Sequence, residues 1–230
     1  MNYIIFKNKD SRAIPGLLIQ ELPPITKPKM RQETTVIDGK DGDITDNLGY
    51  SAYDQQIKIG LTRGYDISEI IKYFSGSGTI IFSNEPDKYY MAEIIDQINF
   101  DRLLKFRIAN VKIHMQPYKY LINESPAELE ITTETELKVY NVGLEQSSPI
   151  FTLYGDGIVE ISINGIAIFQ INIDDEYVTV DSNMQECYKG NVLKNRKMVG
   201  EFINLEKGES TITWTGNLKK IIVEPKSRWL

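Results

Sequence analysis

Apolar and polar residues alternate with a period of two through most of the chain, the pattern of strands that bury one face. Residues 3–6 and 17–21 are short candidate strands. Leu22-Pro23-Pro24 and Lys27-Pro28 then remove backbone donors and impose an extended connection. Residues 31–37 read as a strand running into Asp38-Gly39-Lys40-Asp41-Gly42-Asp43, a turn-rich loop that extends toward Gly49. Residues 55–61 alternate around Ile57, Ile59 and Leu61. One segment has a helical period instead: Asp66 can cap it, Ile67, Ile70, Ile71 and Phe74 share a core-facing side, and Gly76 and Gly78 end it. Strands resume at 79–82, 89–95 and 103–115, with Asn84-Glu85-Pro86-Asp87 as a hairpin turn. Pro117-Tyr118-Lys119-Tyr120 marks the end of this block.

Past the connector Asn123-Glu124-Ser125-Pro126, one strand sets Leu129, Ile131, Leu137 and Val139 on a packed face and Glu128, Glu130, Glu134 and Glu136 on a wet one. A domain boundary near residue 125 follows, giving domains 1–125 and 126–230. The second half predicts short strands at 150–154, 158–163, 167–173, 177–180, 200–203, 211–215 and 221–224. Its turns carry Gly155-Asp156-Gly157, Asn164-Gly165, Asp174-Asp175 and Lys207-Gly208. Many short strands with regular turns imply a β-sandwich or jelly roll. The expected class is mainly β, with one helix in the first domain.

Composition narrows the chemistry. The 230 residues are 41% hydrophobic and 25% charged, a globular balance with no run near the roughly 18 apolar residues of a membrane helix. The first residues lack the basic leader, long apolar region and cleavage site of a signal peptide, so synthesis and folding in a cytoplasm are expected. A net charge of −6 disfavours a general nucleic-acid-binding surface. With one cysteine, Cys187, and one histidine, His114, neither a disulfide nor a Cys/His zinc site can form within the chain.

The candidate sites all have a plainer reading. Asp38, Asp41, Asp43 and Asp46 suggest calcium, but the EF-hand pattern fails in the registers starting at Asp38 and at Asp41, and a solvated turn is expected. Asp174-Asp175-Glu176 could offer paired carboxylates, yet neighbours on a strand point to opposite faces, so a hairpin turn is expected. His114 ends an alternating strand with no nucleophile elbow in the sequence. Cys187 follows Gln185-Glu186, a setting that does not favour a thiolate. The 13 tyrosines, with Trp214 and Trp229, suit a β-sandwich core, although exposed ones could stack on sugars. No phosphate-binding glycine motif occurs. No catalytic, cofactor or metal residues are assigned.

Several segments in order resemble the distal tail protein family of long-tailed phages that infect Gram-positive bacteria. They are Val36-Ile37-Asp38-Gly39-Lys40-Asp41-Gly42, residues 80–92 around Asn84-Glu85-Pro86-Asp87, and residues 111–120 ending in Pro117-Tyr118-Lys119-Tyr120. Asn141-Val142-Gly143 with Ser148-Pro149-Ile150 and Gly155-Asp156-Gly157 follow, then Gly200-Glu201-Phe202, Thr213-Trp214-Thr215-Gly216, Pro225 and Arg228-Trp229. Residues 187–197 match less well. The resemblance implies a tail-tube-like N-terminal β-barrel with one helix and a C-terminal galectin-like β-sandwich. It implies a non-enzymatic homo-hexameric ring at the virion tail tip, without cofactors. The ring would lie between the tail tube protein and a tail-associated lysin or tail fibre protein. Its outer domains can carry receptor-binding proteins, and DNA would pass through without specific binding. The acid-rich loop is expected to help keep that channel negative. The alternatives are a carbohydrate-binding module attaching a particle or enzyme to a cell surface, a hydrolase, and a tail-tube protein proper, which the second domain argues against.

Overall fold

The computed structural model describes residues 1–39, 41–98 and 100–230, and all their side chains except those of Phe100, Asp101 and Arg102. The chain is mainly β. It divides into two compact units, one of Met1–Ile122 with Leu230, the other of Asn123–Trp229.

The first unit contains β1 (Ile4–Phe6), β2 (Lys9–Asp10), β3 (Leu17–Glu21), β4 (Met30–Val36), β5 (Asp43–Tyr50), β6 (Tyr53–Leu61), α1 (Ile67–Tyr73), β7 (Gly76–Phe82), β8 (Lys88–Ile94), α2 (Phe100–Phe106) and β9 (Ile108–Leu121). Its main sheet has the order β2-β1-β7-β8-β9-β6-β3 and is antiparallel throughout. It curls as a half-barrel. Alternate residues fill the concavity: Ile4 and Phe6, Ile57 and Ile59, Ile80 and Phe82, Val111 and Ile113 are all buried.

Helix α1 starts where Asp66 accepts from Ser68 N (2.9 Å) and Glu69 N (3.2 Å), satisfying two free donors of the first turn. It packs through Ile70, Tyr73 and Phe74, and burying Ile70 alone is worth about 1.5–3 kcal/mol. Ile71, expected on that face, is 45% exposed. Tyr73 is buried instead, because its hydroxyl donates to Ile4 O and Lys9 O and ties the helix to the sheet's first strands.

Two further expectations give way. Residues 103–106 are the end of helix α2, not strand; Leu103 alone of its described side chains enters the core, and Arg107 turns out of the helix with φ of 58°. Pro117 does not end β9 either. The register passes from Ala92↔Met115 to Tyr90↔Lys119, so the proline sits in a bulge, where its missing N–H costs no ladder bond.

The second unit contains β10 (Ala127–Glu130), β11 (Glu136–Asn141), β12 (Ile150–Ile163), β13 (Ile166–Ile173), β14 (Tyr177–Asp181), β15 (Glu186–Lys189), β16 (Val192–Leu193), β17 (Met198–Gly200) and β18 (Gly208–Glu224). The segment read as one strand at 128–139 is two. Thr132 N and Thr133 N donate to Glu134 and turn the chain, so β10 pairs with the end of β18 and β11 with its beginning.

Four strands predicted separately are likewise two long ones. In β12, residues 150–154 pair with β14 and residues 157–163 with β13; β18 changes neighbours in the same way. The register shifts at Tyr154/Gly155 and Asp156/Glu160 mark the passage. Two half-sheets result, and Phe151, Leu153, Val178 and Val223 of one share a core with Val159, Ile161, Phe169 and Ile212 of the other. Asn164-Gly165, with φ of 50° and 81°, makes the predicted β12–β13 turn. The strand expected at 200–203 ends at Gly200.

Candidate interaction surface

Strands β4 and β5 form a two-stranded sheet of their own, apart from the half-barrel. Residues 31–39 and 41–49 are exposed. A ribbon whose longer strand has eight residues extends about 25 Å. An isolated hairpin of this kind gains little stability in water, so the arm is built for something other than packing its own core.

Its base is held firmly. Ser51 N donates to Lys29 O at 2.9 Å, and Arg31 Nη2 donates to Leu48 O at 2.8 Å. Gln55 Nε2 donates to Thr26 Oγ1 (2.9 Å) and Pro24 O (3.4 Å), pinning the proline connector. Beneath it lies a largely buried ion pair, Lys119 Nζ to Glu85 Oε1 at 2.7 Å, with Tyr90 OH donating to the same carboxylate at 2.8 Å. Burial, then the hydrogen bond to Glu85, pushes the Tyr90 phenol well above its usual range.

The acids of residues 38–46, first considered for calcium, belong to this arm. Lys40 lies outside the described residues. Asp43 opens β5 rather than closing a loop, and Asp43 and Asp46 point to opposite faces of the ribbon. Among the described residues no group of three or more His, Cys, Asp or Glu converges as a metal site.

His114 has a partner 60 residues away. Its Nδ1 stands 2.8 Å from Asp54 Oδ1, and since a carboxylate can only accept, Nδ1 carries the proton. Lys112 adds bonds to Asp54 (2.8 Å) and Asp96 (3.0 Å). Hydrogen bonds from Lys112 and then His114 hold the Asp54 carboxyl below its usual range. A His–Asp pair is two-thirds of a hydrolytic triad, but the serine lining the same trough, Ser77, is separated from His114 by strand β8. Two strand spacings are about 9.5 Å, far beyond hydrogen-bond reach. The arrangement is a solvated ladder of charges on the sheet's polar face.

In the second unit Asp174, Asp175 and Glu176 lie in and beside the β13–β14 turn and pair with Lys194, Lys197 and Lys189. Cys187 is buried with its Sγ 3.1 Å from Met198 Sδ, and burial pushes the thiol up to about 11. Tyr154 and Tyr177 are cross-strand neighbours 5.2 Å apart, and Lys220 and Lys189 lie over their rings. Trp214 packs against the core. No helix among the described residues is long and apolar enough to cross a membrane.

No protein-family model matches the chain, and no curated protein matches it in sequence. Its fold does have a counterpart: the SPP1 Dit protein, a paradigm of the hub adsorption apparatus in phages infecting Gram-positive bacteria. The two agree at a TM-score of 0.72 with 14% identity, covering 100% of each chain. The chain shares its fold with a phage hub protein. That is the fold the sequence resemblance implies, in both units. Two structures of the phage p2 baseplate in its activated conformation, with Sr and with Ca, reach a TM-score of 0.48 at 8% and 10% identity over 97% of this chain. The matches span 98% and 97% of the baseplate chains.

Proposed function

We propose that this protein is a phage or prophage distal tail protein, a non-enzymatic hub joining the tail tube to the tail tip and its host-adsorption apparatus. The observation that carries the reading is the end-to-end fold match to the SPP1 hub protein, without an unmatched domain on either side. The first unit serves as the tail-tube-like, ring-forming domain and the second as an outward galectin-like domain. Six copies close into a ring through heterologous contacts, one face toward the tail tube protein and the other toward a tail-associated lysin or fibre. The exposed arm supports this reading, since a ribbon without its own core is stabilised when a neighbour covers it. The sheet also ends at β2 and β3, edges with no further strand partner among the described residues, which adjacent copies can use.

Light scattering on the purified chain over a concentration series tests the ring, combined with negative-stain imaging. Six-fold annular particles and a mass rising toward six times that of the chain are expected. A strict monomer at all concentrations, also in the presence of tail tube protein, would refute it.

A further inference from the structure

The two faces of the arm differ in chemistry. The register sets Glu33 directly opposite Asp46 and Thr35 opposite Ile44, and alternation along β5 adds Leu48 to that face. Its two apolar residues, Ile44 and Leu48, are 40% and 49% exposed. Like charges directly opposed across a strand pair repel, and no described cation pairs with either acid. This face therefore carries an acid pair with no counter-charge among the described residues, set among exposed aliphatic side chains.

The junction of α2 and β9 has the complementary character. Leu104, Phe106 and Ile108 are 43%, 63% and 36% exposed, and between them stand the exposed cations Lys105 and Arg107. Leu61 N donates to Arg107 O at 3.0 Å, which brings the loop bearing the exposed Arg63 alongside. No described carboxylate pairs with Lys105, Arg107 or Arg63. Lys105 lies over the Phe106 ring, 5.5 Å from its centroid, so apolar residues and charges of opposite sign, without a described counter-charge, are displayed on two separate surfaces of one unit.

We infer that the arm of one copy lies across the α2–β9 junction of the next copy. Glu33 and Asp46 meet Lys105 and Arg107, and Ile44 and Leu48 cover Leu104, Phe106 and Ile108. The contact joins two different surfaces, so it runs from copy to copy and closes when the rotation allows. The inference rests on the ring-hub reading and names the surfaces that build the ring.

Two charge reversals of the full chain test it: Glu33→Arg with Asp46→Arg, and Lys105→Glu with Arg107→Glu. All four side chains are exposed, so both variants are expected to fold, with circular dichroism and melting like the parent. In light scattering the parent self-associates, more weakly as salt rises. Each variant alone associates at least about tenfold more weakly. An equimolar mixture recovers the parent's association, because reversed arms then meet reversed junctions and unreversed arms meet unreversed junctions. Variants that assemble as well as the parent, or a mixture that does not recover, overturn the docking and leave the ring reading standing. A parent that is monomeric throughout overturns both.

Discussion

Alanine at Gly216 is expected to unfold the second unit at much lower temperature, and alanine at Gly157 is the matched control. Both glycines have positive φ, 93° and 75°, and both lie where the long strands pass between half-sheets. A Cβ on Gly216 would stand 2.2 Å from Ile158 O and 3.2 Å from Val159 Cα, whereas a Cβ on Gly157 would meet nothing within 4 Å. The left-handed backbone costs an L-residue ~1–2 kcal/mol at either site, offset by ~0.4–1 kcal/mol from the stiffer unfolded chain. At Gly216 the obstacle is backbone beside the fully buried Val159, which cannot rotate away, and displacing it adds ~1–3 kcal/mol. The net loss is about 1 kcal/mol for Gly157→Ala and ~2–4 kcal/mol for Gly216→Ala. For a unit of this size the larger loss is roughly 10–30 °C in melting temperature. Calorimetry of the full chain reads it, with near-ultraviolet dichroism of Trp214 reporting on the second unit. If the two variants melt together, the close approach at Gly216 is not what demands glycine there.

Four further outcomes are expected. Lys119→Met strands the largely buried Glu85 carboxylate and costs ~3 kcal/mol or more in urea unfolding, part of which Glu85→Gln restores in the double variant; a loss under ~1 kcal/mol would contradict it. Backbone N–H groups of Thr132 and Thr133 draw the Glu134 carboxyl from 4.5 to about 2 in the folded state. A lowered folded value means its contribution is full above pH 4.5 and lost as pH falls toward 2, so Glu134→Gln should flatten stability across that window. Cys187 should resist thiol reagents near neutral pH in the native protein and react once denaturant exposes it; rapid native labelling would contradict its burial. Replacing residues 31–49 by a two-glycine turn should leave the melting of both units nearly unchanged while abolishing self-association, since Met30 and Tyr50 are already register partners.

The period-two alternation made the half-barrel strands legible, because each buries one face and the burial dictates the pattern. The same rule explains what was not legible. In strand β5 the face holding Ile44 and Leu48 is interrupted by Asp46, and with no core to bury either face the polar residues outweigh the apolar ones, so the segment resembles a loop. The α2 segment offers only Leu103 to the core, too little to set a helical stripe against the strand pattern that follows. Gly155-Asp156-Gly157 has the composition of a turn yet bends a continuous strand, since only the neighbours across the sheet decide between the two. The acidic segment and His114 were visible as residues, but the pairing of His114 with Asp54 depends on the β6–β9 register. The complementary faces of arm and junction likewise appear only once register and exposure are known.

Strands β12 and β18 run unbroken through both half-sheets of the second unit. In many sandwiches the layers are joined only by loops and can part along the plane between them. Here two covalent chains cross that plane, so pulling one layer away requires breaking the ladders of the other. The unit should therefore open as one cooperative block in hydrogen exchange, with amides of both layers sharing a common opening free energy. Under load such a unit is mechanically single, passing force along its strands without shearing internally.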